Sequence, residues 1–121
     1  MNSNGALGRR GEEIALGFLA ERGCKFVARN WRCSHIELDI IVEDQTHLRI
    51  VEVKTRSLTQ ISPVESIGRE KRRRIIRATD SFVRRYNIEK EVVFDIISII
   101  HDKEGYKIEY TPDAFNILTN K

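Results

Sequence analysis

Cysteine is scarce in this chain. There are two in 121 residues, Cys24 and Cys33, with neither the close spacing of metal ligands nor the density of a disulfide scaffold. A reduced, cytoplasmic setting is the expectation that follows. Long apolar runs are also missing. The longest, from Val92 to Ile100, is broken by Asp95 and Ser98 and falls far short of the roughly 20 residues that a membrane span requires. Met1 to Gly5 carries neither a basic stretch nor an apolar core, so no secretory leader is expected. No repeat or low-complexity segment appears. His35, His47 and His101 are scattered, which argues against a histidine-based metal centre. Charge of one sign is lacking too: 21 Lys+Arg against 18 Asp+Glu leaves +3, too little to announce a nucleic-acid partner by itself.

What is present is 40% hydrophobic and 32% charged residues, the balance of one folded domain spanning residues 1–121. Leu7, Ile14, Ala15, Phe18 and Leu19 recur at helical spacing, predicting a helix from Gly5 to Arg22 that Gly23 terminates. Strands are predicted at 24–31, 36–42 and 47–54, the last two joined by the polar turn Glu43-Asp44-Gln45-Thr46. A second helix is predicted from Ser62, as N-cap with Pro63 at the first helical position, to about Tyr86. A fourth strand at 91–101 is apolar on both faces and therefore central; a fifth covers 106–110, with a short turn at 112–115. The order αβββαββ implies an α/β sandwich, a mixed sheet with helices packed on it.

The chemistry concentrates in Ile36-Glu37-Leu38-Asp39-Ile40-Ile41 and Ile50-Val51-Glu52-Val53-Lys54. Acids interleaved with Ile and Val in a strand need a reason, because burying a charge is costly. A hairpin centred between Gln45 and Thr46 puts Asp39 opposite Glu52 and Glu37 opposite Lys54. Two carboxylates so placed, with Lys54 two residues along the same strand face, suit a divalent cation and a phosphate. Cross-strand ion pairs are the structural alternative. On the first helix, Glu12 lies at the edge of the apolar stripe, where it can reach toward the strand acids. On the second, Lys71 falls inside the stripe Val64, Ile67, Ile75, Ala78, Phe82, either snorkelling out or meeting an anion, while Arg69, Arg73 and Arg77 point away. That basic face is an electrostatic footprint for phosphates or a merely solvated helix side. Asp95, within a buried strand, requires a partner, and an arginine is the first expectation.

Gly8-Arg9-Arg10-Gly11-Glu12, Asn30-Trp31-Arg32, Glu37-Leu38-Asp39, Glu52-Val53-Lys54-Thr55-Arg56 and Phe94-Asp95 together resemble the YraN-like uncharacterised bacterial proteins, over about residues 8–112. That family resembles the restriction-endonuclease-like superfamily with the PD-(D/E)XK site and is similar to archaeal Holliday junction resolvases. The resemblance implies a three-layer sandwich with Asp39, Glu52 and Lys54 as motif residues and Glu12 as an additional helix acid. Ile36 departs from the pattern, standing where the family carries glycine. The expectation is a Mg²⁺- or Mn²⁺-dependent DNA endonuclease acting on branched or single-stranded DNA. Glu12, Asp39 and Glu52 would be metal ligands, Lys54 would position the nucleophile, and Arg69, Lys71, Arg73 and Arg77 would contact nucleic acid. The rival readings are a nucleic-acid-binding domain with an inactive site and a structural domain whose acids are ion-pair partners. A second copy of the chain is left open as a partner, and no membrane is expected.

Overall fold

A computed structural model describes residues 6–57 and 67–116. Helix α1 (Ala6–Glu21) is followed by β1 (Lys25–Cys33), β2 (Ile36–Glu43), β3 (His47–Ser57), α2 (Arg69–Arg85), β4 (Glu91–Asp102) and β5 (Gly105–Phe115). The strands form one mixed sheet in the order β1-β2-β3-β4-β5. Only β3 and β4 run parallel; the other three pairings are antiparallel. The one parallel pair is also the one joined through a helix, as such a crossover requires.

The helices take opposite faces, giving three layers. On one, Ala15 and Leu19 of α1 pack with Ile40, Val42, Val51, Ile97 and Ile99. On the other, Ile75, Ala78 and Phe82 of α2 pack with Leu48, Ile50 and Phe94. Of the stripe predicted for α2, Ile75, Ala78 and Phe82 are buried on the helix, Ile67 is buried just before it, Lys71 is exposed, and Val64 lies outside the described residues. Helix α1 ends where Gly23 adopts φ +90°. The N–H groups of Gly23 and Cys24 then donate to the carbonyls of Ala20 and Leu19, a closure that needs a left-handed residue. Among the described residues no helix is long and apolar enough to cross a membrane.

Two predicted elements are corrected. Helix α2 starts at Arg69, with Gly68 extended at φ −66° and ψ 161°, and Ile67 and Gly68 are not helical. A helix running unbroken from Ser62 is thereby excluded, although Ser62 and Pro63 themselves lie outside the described residues. The fifth strand does not stop at Tyr110. It continues through Pro112 to Phe115, which pairs with Phe94. An edge strand with an irregularity tolerates a proline that a central one would reject. The register shift between the Phe94 and Ile96 pairings also places Asp113 at φ 50°.

That irregularity houses Asp95, which is fully buried. Its carboxylate accepts hydrogen bonds from Arg49 Nη1 at 3.1 Å, the Tyr110 hydroxyl at 2.7 Å and the Asp113 N–H at 2.8 Å. The arginine partner expected from sequence is thus found, and the acid is a structural hub on β4, two strands away from β2. Arg49 is shared with Asp44, whose carboxyl this bond holds far below the ordinary range.

Candidate active site

The β2–β3 turn is the two-residue one that the sequence allowed. Asp44 and His47 close it, and Ile40↔Val51, Ile41↔Ile50, Val42↔Arg49 and Glu43↔Leu48 follow in the expected register. The paired ladder stops at Ile40. One step further, where Asp39 would face Glu52, the side chain takes over from the backbone: Asp39 Oδ2 accepts the Val53 N–H at 3.0 Å. Glu52 stands midway along β3, where Lys71 near the start of α2 reaches it, and Gly11 near the start of α1 meets Thr55 three residues further on.

Glu52 is 3% exposed and Asp39 9%. Burial pushes both carboxyls up, and each is raised further by a neighbouring acid, Asp39 by Glu12 and Glu52 by Asp39. Asp39 rises to about 6 and Glu52 to about 8, with Lys71 and backbone N–H groups pulling the other way. Lys71 Nζ stands 3.5 Å from Glu52 Oε1. Both outcomes open to this lysine are observed together: its side chain is half exposed, and its ammonium meets the Glu52 carboxylate. Glu52 Oε2, in contrast, is buried with no hydrogen-bond partner among the described residues. A buried carboxylate oxygen left unsatisfied beside a second acid is costly and calls for a ligand.

Glu12 is fully buried on the α1 side. Its carboxylate is held by Arg29 Nε at 3.3 Å and Asn30 Nδ2 at 3.3 and 3.4 Å, so it acts on Asp39 through its charge. Among the described residues no three His, Cys, Asp or Glu side chains are gathered closely enough to hold a metal ion together. The donor set the geometry offers is therefore the Asp39–Glu52 pair with Glu12 behind it. Holding Glu12 is a role that the sequence did not assign to Arg29 or Asn30, although Asn30 stands in the resembling segment Asn30-Trp31-Arg32; it adopts φ 51°, a conformation asparagine tolerates better than most.

Lys54 pairs in register with Ser98 of β4, beyond the end of the β2–β3 ladder and on the same strand face as Glu52 by alternation. Glu37 forms an ion pair with Arg32 at 3.6 Å. Arg69, Arg73 and Arg77 are exposed along α2, Arg73 pairing with Glu70 at 3.6 Å. The helix face and the acid pair meet only at Lys71.

Gly11 explains how α1 brings Glu12 so close to the sheet. A Cβ at this position would overlap Thr55 Oγ1. Gly11→Ala is expected to push α1 off β3 and lower the melting temperature by roughly 4–12 °C, an overpacking cost of about 1–3 kcal/mol. Thermal denaturation followed by circular dichroism checks this, with Gly17→Ala, where a Cβ meets nothing, as the control.

Residues 11–99 match the profile of the Uncharacterised protein family UPF0102. The chain is similar to a UPF0102 protein of Phocaeicola vulgatus, 37% identical over 116 residues, covering 95% of this chain and 96% of the relative. It is similar to another from Parabacteroides distasonis, 41% identical over 110 residues and covering 90% and 91%. A third, from Arthrobacter sp., is 39% identical over 107 residues, covering 87% and 91%.

Proposed function

The chain belongs to the uncharacterised protein family UPF0102, and we propose that it is a divalent-metal-dependent nuclease that hydrolyses phosphodiester bonds in DNA. The observation that carries this reading is the buried pair Asp39–Glu52, two mutually repelling acids of which one oxygen, Glu52 Oε2, has no partner among the described residues. Such a pair fits Mg²⁺ or Mn²⁺, hard cations usually held by one or two carboxylates with substrate oxygens and water completing the shell. When bound, the ion supplies charge neutralisation at the phosphate and activation of water.

The protein's own groups divide the remaining work. Val53 N–H fixes the Asp39 carboxylate, and Arg29 with Asn30 fixes Glu12, so neither acid has to be reoriented when a cation arrives. Lys54 positions the attacking water and stabilises charge on the phosphate. Lys71, whose ammonium meets Glu52 and whose side chain is half exposed, would offer a positive charge to a substrate phosphate. The exposed arginines of α2 would bind phosphates and set register without reading sequence.

Incubation with linear duplex, single-stranded and four-way-junction DNA, in Mg²⁺ or Mn²⁺, tests the reading. Cleavage of at least one substrate is expected, and none in EDTA. Binding without cleavage of any would instead favour a nucleic-acid-binding domain. For the basic face, replacing Arg69, Arg73 and Arg77 together should reduce the slope of log K against log salt by about 2–3 units. An unchanged slope would make that face a solvated one.

A further inference from the structure

The sheet has two edges, β1 and β5, and they differ. An open edge offers unpaired N–H and C=O groups to another chain, and proteins blunt it with bulges, irregular residues and charge. Strand β1 carries all three. Its register shifts between the Phe26 and Ala28 pairings, Asn30 adopts φ 51°, and Lys25, Arg29 and Arg32 stand in a strand without an acid. Two copies of β1 would bring like charges together.

Strand β5 is interrupted only at its far end, where Pro112 and the irregularity opposite Asp95 lie. From Gly105 to Thr111 it pairs with β4 without a break, and no strand of the described residues lies on its outer side. By alternation Lys107 and Glu109 point to one face, and Tyr106, Ile108 and Tyr110 to the other. Both charged side chains are exposed, 3.8 Å apart. Tyr106 is one of the few large apolar side chains left exposed. The Tyr110 ring, by contrast, packs edge-on against Phe18 at 5.4 Å, with the Arg22 guanidinium 5.2 Å from its centre.

We propose that the outer edge of β5 pairs antiparallel with the same edge of a second copy of this chain, about a two-fold axis through Ile108. Charge selects the occupant and the register together. Pairing about Ile108 sets Lys107 opposite Glu109 of the second copy, and symmetry repeats the pair the other way round. An axis through Lys107 or Glu109 would set that residue against itself, like charge on like. An axis between two residues would oppose outward-facing backbone groups to inward-facing ones. On the other face the same register lays Tyr106 against Tyr110 of the second copy, adding an aromatic pair to the Phe18–Tyr110 contact. The two five-stranded sheets then become one. A contact built on one strand pair is small, so association is weak and concentration-dependent. None of this depends on what Asp39 and Glu52 do.

Sedimentation velocity over a concentration series tests the pairing, with the wild type expected to pass from monomer to dimer. Lys107→Glu and Glu109→Lys each put like charges opposite one another twice per dimer, and each should weaken self-association roughly tenfold or more. An equimolar mixture of these two variants should associate as the wild type does, because every glutamate again faces a lysine. Glu89→Lys, exposed before β4 and equal in net charge to Glu109→Lys, should dimerise like the wild type. Melting curves confirm that each variant is folded. The proposal is overturned by a wild type that stays monomeric up to its solubility limit, by single variants that dimerise unimpaired, by a mixture that does not associate, or by Glu89→Lys failing as Glu109→Lys does.

Discussion

Asp39→Ala and Glu52→Ala are each expected to abolish metal-dependent DNA cleavage, with a loss on the order of a thousandfold or more, and the double variant to be no worse than either. The non-additivity follows from geometry. The two carboxylates form one donor set, tied together where Asp39 accepts the N–H of Val53, the residue next to Glu52. Removing either breaks that donor set, so removing the second costs little more. Glu12→Gln should fall between these and the wild type, because that acid reaches the site through its charge while its oxygens are bonded to Arg29 and Asn30. Steady-state cleavage rates of the four proteins at saturating Mg²⁺ check the pattern. Additive losses in the double variant would mean that the two acids act separately.

The second large effect is on stability, and it runs opposite to what substitution of a buried residue usually brings. Burial and mutual repulsion raise Asp39 to about 6 and Glu52 to about 8. The folded protein therefore holds protons that an unfolded chain releases at lower pH. The stability these two groups contribute is fully present below the ordinary carboxyl range and is lost as the pH rises through it toward about 8. Glu52→Gln removes the ionisation while keeping the shape. It leaves Lys71, 52% exposed in its side chain, to the solvent. At pH 8 without metal this variant should melt roughly 5–10 °C above the wild type, corresponding to on the order of 2 kcal/mol, and the two should converge near pH 4. Melting curves from pH 4 to pH 9 in EDTA decide the matter. A wild type whose stability rises over that interval, with a destabilised Glu52→Gln, would identify the acids as ion-pair partners.

How far the fold and the site could be read in advance differs from element to element. The β2–β3 hairpin was legible because its turn is symmetric, so that the pairing of Ile40 with Val51 followed from the position of Gln45 and Thr46 alone. Asp95 was legible as a buried charge in search of a cation, and Arg49 supplies it. Strand β5 was cut short because Pro112 reads as a stop, whereas what permits it is an edge position and an irregularity filled by the Asp95 carboxylate. The start of α2 was misplaced because Ser62-Pro63 carries a capping signature in sequence, while the helix begins after the extended Gly68. At the site, the acids declared themselves by interrupting apolar strands. The groups that hold Glu12 did not. Arg29 and Asn30 are polar residues in a strand of mixed exposure, indistinguishable locally from solvated ones until the sheet brings β1 beside α1.

In the proposed function Asp39 and Glu52 are repelling acids awaiting a divalent cation. Thermal melting of the wild type and Asp39→Asn at pH 7.5, with and without Mg²⁺, tests this. With Mg²⁺ at about ten times the dissociation constant, mass action stabilises the folded wild type by roughly 1.4 kcal/mol, a rise of about 5 °C. Asp39→Asn, which keeps an oxygen for the Val53 N–H but removes one charge, should melt at or above the wild type in EDTA and lose most of the Mg²⁺ response. A wild type indifferent to Mg²⁺ and Mn²⁺, together with an Asp39→Asn protein that melts several degrees lower, would contradict the account.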